Sequence, residues 1–322
     1  MKKKYICTYF NIDYLARGLA LIDSINKHNS DVLIYVLAID QEVEEYFQQG
    51  YRNVEVIEMR NYQLYNEKTQ SIHSDRKQFF FSITANFCRM LLEIKTEIDV
   101  LLYLDADVYV TSDITPIYRE FESYSVGVCS HRRNKYIEMV SKNYGLYNVG
   151  VNLFRNDRVG RRCLSEWSQE CNEWYPGMPG YDLPFFSDQI FLDKWPCLYK
   201  KKFLEIKNIG VNVAPWNTFN QKFRFSNDNL YIKNKKVIIY HFSSLVQEEK
   251  GIWNPNSGRA IFVLNKPLKR FYITYIKKLG DFGLDTEKIV KLNFRDSLKK
   301  RLFFLIFSPF LNRKIKVHDT RE

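Results

Sequence analysis

Short apolar runs of strand-type residues alternate with amphipathic helical stretches through the first half of the chain. A chain with this alternation folds most simply as a layered α/β structure in which helices cover a mainly parallel sheet. The predicted strands cover residues 4–10, 31–39, 54–59, 124–130 and 147–154 together with the run that ends at Asp105, and the predicted helices cover residues 14–28, 41–50, 83–94 and 160–174.

Segments without this periodicity interrupt the pattern. The polar stretch at residues 60–78 is predicted to be a long loop, and so is the Pro-, Gly- and aromatic-rich stretch at residues 175–186. A helix is expected to begin at Ser187 as its N-cap, and a late strand covers residues 235–242. The pattern changes after about residue 245, so we predict a main domain at 1–245 and a helical C-terminal region at 246–322.

Composition favours a globular protein that stays inside the cell. The 322 residues are 45% hydrophobic and 16% aromatic, enough for a sizeable core. The six cysteines have no metal-type or CxxC spacing and are expected to be reduced thiols of a cytoplasmic protein. The basic N-terminus is followed too soon by Asn11 and Asp13 for a signal peptide, and no window reaches the roughly 18 apolar residues of a membrane span.

Positive charge is concentrated near the C-terminus. The net charge is +11, and the segment 291–317 carries eight basic residues and one acid around the apolar stretch 302–311. Such a segment is predicted to lie on an anionic membrane surface, with its rings in the acyl boundary and its charges among the headgroups. A helix docked on the domain is the alternative. No nucleic-acid motif accompanies the charge, so nucleic acid is not an expected partner.

Two aspartates end a buried strand. The run "LLYLDADVYV" places Asp105 and Asp107 where desolvation of two like charges is costly, unless a cation lies between them. In open α/β sheets the carboxyl ends of strands form the ligand site, and paired carboxylates there suit a divalent ion that neutralises a diphosphate. His241, at a later strand end, could complete the site. Alternatively, Asp105 caps a turn, Asp107 faces solvent and His241 belongs to the core.

The residues around this pair resemble a known family. The segment "VLLYLDADVYVTSDITPIY" is similar to the core motif of glycosyltransferase family 8, retaining enzymes of the GT-A fold that use a nucleotide-sugar donor and manganese. The segments "CTYFNIDYLARGLALIDSI", "ITANFCRMLLE", "YNVGVNLF", "SDQIFL" and "IIYHFSS" follow in the family's order. Three features depart from the family: Ser244 replaces a glycine, Lys250 and Trp253 follow later than the family's Lys-Pro-Trp, and "TYFNIDY" lacks the usual acidic pair.

The resemblance implies a role for each matching residue. Asp105, Asp107 and His241 would bind Mn²⁺ or Mg²⁺, Asp188 would contact the sugar hydroxyls, and Gln189 would lie beneath the anomeric carbon. Residues implied to contact the donor are Thr8, Tyr9, Asp13, Tyr14, Arg89, Asp105, Asn148 and Lys250.

The expected function is retaining transfer of a hexose-type sugar, UDP-linked by expectation, to a glycan or glycolipid such as lipopolysaccharide, capsule or a lipid-linked saccharide. Retention needs either a covalent intermediate or attack by the acceptor on the face that the leaving group vacates. Gln189 is a poor nucleophile, which favours same-face attack, and Asp188 is the alternative nucleophile. The alternatives are a metal-dependent phosphohydrolase or nuclease, in which further carboxylates would cluster, and a non-catalytic nucleotide-sugar-binding protein.

Overall fold

The structure is a computed structural model that describes residues 3–67, 76–133, 145–174, 187–219, 221–255, 264–284 and 291–292. Its strands are β1 Lys4–Phe10, β2 Val32–Ala38, β3 Val54–Ile57, β4 Val100–Leu104, β5 Val108–Val110, β6 Val126–Ser130, β7 Tyr147–Arg155, β8 Phe203–Glu205, β9 Phe223–Ser226, β10 Asn229–Ile232, β11 Lys235–Lys236, β12 Ile239–His241, β13 Val246–Glu249, β14 Ile252–Asn254 and β15 Lys291–Leu292. Its α-helices are α1 Leu15–His28, α2 Gln41–Phe47, α3 Met59–Glu67, α4 Arg76–Ile94, α5 Thr115–Phe121, α6 Arg158–Glu173, α7 Ser187–Ile190, α8 Trp195–Tyr199 and α9 Lys266–Gly280.

The central sheet contains seven strands in the order β3-β2-β1-β4-β7-β6-β8. Strands β1, β2, β3 and β4 are parallel to one another, and β6 is parallel to β8. Strand β7 runs antiparallel to both of its neighbours, β4 and β6. Because β7 is reversed, its first residues lie at the same sheet edge as the carboxyl ends of β1 and β4.

Alternate side chains of the sheet pack into two hydrophobic clusters. Cys7, Leu101 and Tyr103 pack with residues of α4 and α6, whereas Ile6 and Leu102 pack with residues of α1 and α5. With this period of two, helices cover both faces of the sheet, and the ends of the strands are left for polar side chains. The predicted α/β fold with a mainly parallel sheet flanked by helices is therefore confirmed.

A third cluster lies beyond the central sheet. Strands β5 and β12 form an antiparallel pair, and Tyr240 of β12 packs with Phe242, Trp253 and residues of α9. Helix α9 begins at the N-cap Asn265, whose side chain accepts a hydrogen bond from the Leu268 amide. Among the described helices, none has both the length and the apolar character that crossing a bilayer requires. The boundary at residue 245 stays a prediction.

Several sequence-based predictions need correction. The long loop expected at residues 60–78 is wrong at both ends, because α3 continues to Glu67 and α4 begins at Arg76. The helix expected from Ser187 is interrupted, since α7 gives way to a 3-10 turn at Phe191–Lys194 before α8. At the tail, residues 291–292 form strand β15 beside β14 instead of beginning a helix. The predicted loop 175–186 and the tail after residue 292 lie outside the described residues. The predicted cap at Ser187 concerns a side chain that the structure does not describe.

Candidate active site

Two carboxylates and one imidazole converge beyond the carboxyl end of β4. One ligand atom each from Asp105, Asp107 and His241 can be chosen so that all three atoms lie within 4.8 Å of one another. His241 Nε2 is 2.9 Å from Asp107 Oδ1 and 3.7 Å from Asp105 Oδ2. The imidazole is buried, whereas both carboxylates retain some exposure to solvent. Among the described residues, this is the group whose donor atoms suit a metal ion.

Two strands bring these side chains together. Asp105 follows β4, and its amide donates to the Gly150 carbonyl of β7. In the β5–β12 pair, Val108 lies opposite His241, which places the histidine beside Asp107. The Asp107 carbonyl in turn accepts a hydrogen bond from the Phe242 amide. The short second sheet therefore determines the distance between the histidine and the acidic pair.

A glycine makes the close approach possible. A Cβ atom added at Gly150 would lie 2.5 Å from His241 Cε1 and 2.9 Å from Asp105 Oδ2. Contacts this short do not occur without displacement of one partner. The "YNVGVNLF" segment thus supplies a glycine for lack of space, not for an unusual backbone conformation.

Electrostatics within the cluster favour a positive charge. Burial lowers the pKa of His241, but the charge and hydrogen bond of Asp107 and the charge of Asp105 outweigh burial and raise it. Burial raises the pKa of Asp107, but the charge of His241 and its hydrogen bond more than offset this effect and leave the pKa below its usual value. For Asp105, burial raises the pKa, and the His241 charge only partly opposes it. An imidazolium here supplies the charge that a bound cation would take over.

Polar side chains surround the cluster. The Tyr103 hydroxyl donates to Asp105 Oδ1 at 2.7 Å. Asn212 Oδ1 lies 3.3 Å from His241 Nδ1, and Asn212 Nδ2 donates to Asn148 Oδ1 at 3.0 Å. The Trp216 ring packs edge-on against the His241 ring, with centroids 5.2 Å apart. The structure therefore connects the sequence-predicted Asn148 to His241 through an intermediate residue.

The Asp188–Gln189 pair begins the short helix α7. Burial and the charge of Asp105 raise the pKa of Asp188 to about 7. Asp188 Oδ1 accepts a hydrogen bond from the Gln189 amide, and the Asp188 carbonyl accepts one from the Trp167 indole. Gln189 is buried. Because Asp105 acts on Asp188 electrostatically, the two carboxyl groups share one site region.

The predicted nucleotide segment divides into exposed and buried residues. Thr8 is fully buried and Asp13 is exposed. The Tyr9 hydroxyl donates to the Phe80 carbonyl. Burial, and to a smaller extent the charge of Asp105, raises the Tyr9 pKa. Tyr14 is 44% exposed, Arg17 packs over its ring, and its partial burial and then the charge of Asp107 raise its pKa. Tyr9 and Tyr14 are therefore near the acidic pair.

Arg89 and Lys250 are two further residues predicted to contact the donor. The Arg89 guanidinium pairs with Glu93 on its own helix and donates to Ser168 of α6. Lys250 lies exposed in the turn between β13 and β14, followed by Gly251 at φ +72°. Their roles stay predictions.

Further residues contact or influence the cluster without a clear signal in the sequence. Tyr103 has the pattern of an apolar strand residue, but its place two positions before Asp105 puts both on the same side of the chain. Asn212 and Trp216 lie in a segment with no periodicity, and no sequence signal distinguishes them. Arg17 acts on the cluster through its charge, which contributes to lowering the pKa of Asp107, while its Nη2 donates to the Leu245 carbonyl at 3.1 Å.

Comparisons with known proteins agree with this geometry. The profile described as "Glycosyl transferase family 8" matches residues 5–242. YfnD of Bacillus subtilis (strain 168) is 24% identical over 257 residues, covering 78% of this chain and 81% of YfnD. The glycosyltransferase GlyF of Streptococcus pneumoniae serotype 4 (strain ATCC BAA-334 / TIGR4) is 29% identical over 134 residues, 39% of this chain and 31% of GlyF.

A solved structure shares the fold. The galactosyltransferase LgtC, in complex with donor and acceptor sugar analogues, superposes with a TM-score of 0.53 at 18% identity, covering 88% of this chain and 98% of LgtC. At this identity the likeness concerns the fold, which is GT-A. The profile match, in contrast, spans most of the chain, from β1 to the residue after β12. The chain therefore belongs to glycosyltransferase family 8.

Proposed function

We propose that this retaining glycosyltransferase moves a hexose-type sugar from a UDP-linked donor to a glycan or glycolipid acceptor, using a divalent cation held by Asp105, Asp107 and His241. The convergence of these three side chains is the observation that carries the proposal. The family assignment favours transfer over the alternatives of a metal-dependent phosphohydrolase or nuclease and of a non-catalytic binding protein.

The donor atoms fit a manganese-like ion. Carboxylate oxygens suit hard divalent cations, and one imidazole suits Mn²⁺ better than Mg²⁺ or Ca²⁺. Tyr103 fixes the orientation of Asp105, and the missing Cβ at Gly150 leaves the carboxylate and the imidazole close together. When bound, such an ion neutralises the donor diphosphate and stabilises it as a leaving group.

Asp188 and Gln189 are proposed to act on the sugar. An ionised Asp188 would accept hydrogen bonds from the sugar hydroxyls, which requires a pH near or above its raised pKa of about 7. Gln189 would place a neutral amide beneath the anomeric carbon, and an amide is a weak nucleophile. We therefore favour attack of the acceptor hydroxyl on the face that the diphosphate leaves, with a departing phosphate oxygen taking the acceptor's proton.

The remaining donor contacts are proposed from their positions. Tyr14 offers an exposed ring close to Asp107 for stacking on the base. Asn148 lies at the start of β7, at the same edge as Asp105. The further proposed donor contacts are Thr8, Tyr9, Asp13, Arg89, Asp105 and Lys250. Of these, Arg89 would have to exchange its contacts with Glu93 and Ser168 for donor contacts.

The acceptor is proposed to lie at a membrane. The basic and apolar segment 291–317 would hold the enzyme at the cytoplasmic face, where lipopolysaccharide, capsule or lipid-linked glycans are assembled. In this proposal residues 1–245 form the catalytic domain, residues 246–322 form the membrane-associated region, and nucleic acid is not a partner.

A thermal-shift panel of nucleotide sugars, with Mn²⁺ or with EDTA, tests the proposal. A donor that binds the folded state at 100 times its dissociation constant adds about 2.7 kcal/mol to the free energy of unfolding, which raises the melting temperature. We expect one sugar nucleotide to give a shift that requires Mn²⁺ and that is lost in Asp107→Asn.

The same donor then serves in a transfer assay, with NMR of the anomeric proton as the readout. Shifts that are equal with Mn²⁺ and EDTA would contradict the role of the acidic pair. An inverted product would contradict the proposed stereochemistry.

A further inference from the structure

Asn212 contacts His241 through the ring nitrogen that does not face the carboxylates. Its Oδ1 lies 3.3 Å from His241 Nδ1, whereas Nε2 of the same ring faces Asp107 and Asp105. Asn212 is completely buried, between β8 and β9 in the chain. Its amide is therefore part of the environment of His241 but cannot itself reach solvent or substrate.

A backbone donor determines which way each amide points. The Gly150 amide can only donate, so the atom of Asn148 that lies 3.0 Å away is the side-chain oxygen. Asn212 Nδ2 donates to this same oxygen at 3.0 Å. The Asn212 oxygen is consequently the atom that faces His241. Because an amide oxygen only accepts, His241 must carry a hydrogen on Nδ1, both in the imidazolium and in the neutral ring that would bind a cation through Nε2.

The backbone holds Asn212 in place from other directions. Its φ is +54°, a left-handed conformation that asparagine and glycine adopt readily. The Arg132 guanidinium donates to the carbonyls of Val211 and Asn212, and the Asn217 side chain also donates to the Asn212 carbonyl. The position of the amide is therefore set by contacts other than that with His241.

We propose that Asn212 is a positioning residue of the cation site. By accepting the Nδ1 hydrogen it fixes the ring orientation and the tautomer of His241, so that the Nε2 lone pair is directed at the cation. Partners of this kind typically change metal affinity about 10- to 100-fold. The inference rests on the proposed cation site and adds to it a residue that touches neither cation nor substrate.

The left-handed backbone provides clean substitutions. Asn212→Gly removes the acceptor without backbone strain. Asn212→Asp also tolerates a positive φ and keeps an oxygen next to His241 Nδ1. Asn234→Gly is the matched control, because Asn234 has φ +66° but lies exposed in the turn between β10 and β11.

Mn²⁺ affinity of the donor-free protein is the first readout, measured by calorimetry. We expect Asn212→Gly to bind Mn²⁺ about 10- to 100-fold more weakly than wild type, Asn212→Asp to recover most of the affinity, and Asn234→Gly to match wild type. The second readout is proton NMR of the Co²⁺-loaded protein. A coordinated histidine gives a shifted, exchangeable Nδ1–H resonance, which should persist in Asn212→Asp and be lost to solvent exchange in Asn212→Gly.

The outcomes separate this inference from the proposed function. If wild type binds no Mn²⁺, the proposed cation site fails. If wild type binds Mn²⁺ and Asn212→Gly binds it equally well or keeps the resonance unchanged, the role of Asn212 is overturned. If Asn212→Gly does not fold, Asn212→Asp decides: a retained resonance supports the inference, and a lost one overturns it.

Discussion

At the residue scale, the candidate site depends on the missing Cβ of Gly150 as much as on the side chains of Asp105, Asp107 and His241. Gly150 lies in β7 directly against Asp105 and His241, with space for a hydrogen but not for a methyl group. Two neighbouring positions of β7 thus shape the site. The Asn148 side-chain oxygen orients Asn212, and the missing Cβ of Gly150 leaves space for the His241 ring.

Substitution of Gly150 by alanine should therefore weaken cation binding. The new Cβ would displace the His241 ring or the Asp105 carboxylate, and overpacking of this kind destabilises a protein by about 1–3 kcal/mol. We expect calorimetry to show at least about tenfold weaker Mn²⁺ binding, as for other disturbances of a metal site's surroundings.

Gly127→Ala in β6 is the matched control, since its Cβ would lie 2.9 Å from Phe121 Cδ2, on a ring that packs in the cluster with α1 and α5. This control should lose stability but keep its Mn²⁺ affinity. Equal affinities for all three proteins would show that the site has room for a methyl group.

The raised pKa of Asp188 predicts a pH-dependent stability. In the cation-free protein the folded state binds the proton more tightly than the unfolded chain, because the pKa is about 7 when folded and about 4 when unfolded. The free energy of unfolding therefore falls as pH rises between these values. Asp188→Asn removes this loss, so its stability gain over wild type should grow with pH up to about 7 and reach on the order of 4 kcal/mol.

Urea unfolding at a series of pH values in EDTA measures this gain. Asp113→Asn should show the opposite sign. Burial raises the Asp113 pKa, but hydrogen bonds from Thr115 outweigh burial and lower it, so the variant should lose stability relative to wild type as pH rises from the acid range. A pH-independent difference for Asp188→Asn would contradict the assigned environment.

Asp105, Asp107 and His241 could be predicted from the sequence, whereas the residues that surround and orient them could not. Asp105 and Asp107 follow a continuous apolar run, and a histidine at a strand end is visible from the pattern together with the family resemblance. Asn212 and Trp216 contact His241 across 29 and 25 residues of chain, and nothing local marks a contact of that separation. Thr8 is fully buried, which a segment match cannot reveal, and its contact with the donor stays a prediction.

At the element scale, the irregular segment between β8 and β9 carries Asn212 and Trp216 without a long helix or strand. A partly buried arginine stabilises this segment. The Arg132 guanidinium donates to the carbonyls of Asn208, Val211 and Asn212. The Asn208 carbonyl also accepts from the Val211 amide, and the Asn212 carbonyl from the Asn217 side chain, so the Val211 carbonyl depends most on Arg132. Arg132 itself adopts φ +49°.

Arg132→Met should unfold more easily because it leaves these carbonyls without their charged donor. We expect the free energy of unfolding to fall by roughly 1–3 kcal/mol in urea titrations, since the buried Val211 carbonyl loses its charged donor and a buried group left unpaired costs about 1–3 kcal/mol. Arg132→Lys should lie between, because an ammonium group cannot span the same carbonyls. Arg224→Met, whose side chain packs on Tyr231 at an exposed position, should change stability by less than about 1 kcal/mol. Equal losses of unfolding free energy in Arg132→Met and Arg224→Met would show that the hydrogen bonds of Arg132 to the carbonyls add no specific stability.

Elements were predictable where period and length agreed. Strand β1 begins and ends where the pattern predicts, and α1 differs by one residue at its start. The polar residues of the stretch 60–78 have no helical period and predict a loop, yet α3 forms there and buries Tyr62 against α4. Tertiary packing overrides weak local preference in such a segment.

At the scale of the whole molecule, the strongest concentration of positive charge lies outside the segment that matches the family. The family match ends at residue 242, whereas the strongest concentration of basic residues follows residue 290. Strand β15 pairs with β14, so the described fold extends to Leu292 before the apolar and basic segment continues. The chain can therefore be shortened after Leu292 with both strands of this pair retained.

Deletion of residues 293–322 should release the protein from anionic membranes while donor hydrolysis in the presence of Mn²⁺ continues. Each basic residue near an anionic surface contributes about 1 kcal/mol to attraction, and buried rings add to it. We expect the full chain to sediment with vesicles that contain phosphatidylglycerol, to bind less at high salt, and to bind weakly to purely zwitterionic vesicles. A full-length variant with Lys299, Lys300 and Arg301 changed to Gln keeps the apolar residues and should bind anionic vesicles several-fold less. If the shortened chain sediments as well as the full chain, the segment does not anchor the enzyme, and the acceptor need not be a lipid-linked glycan.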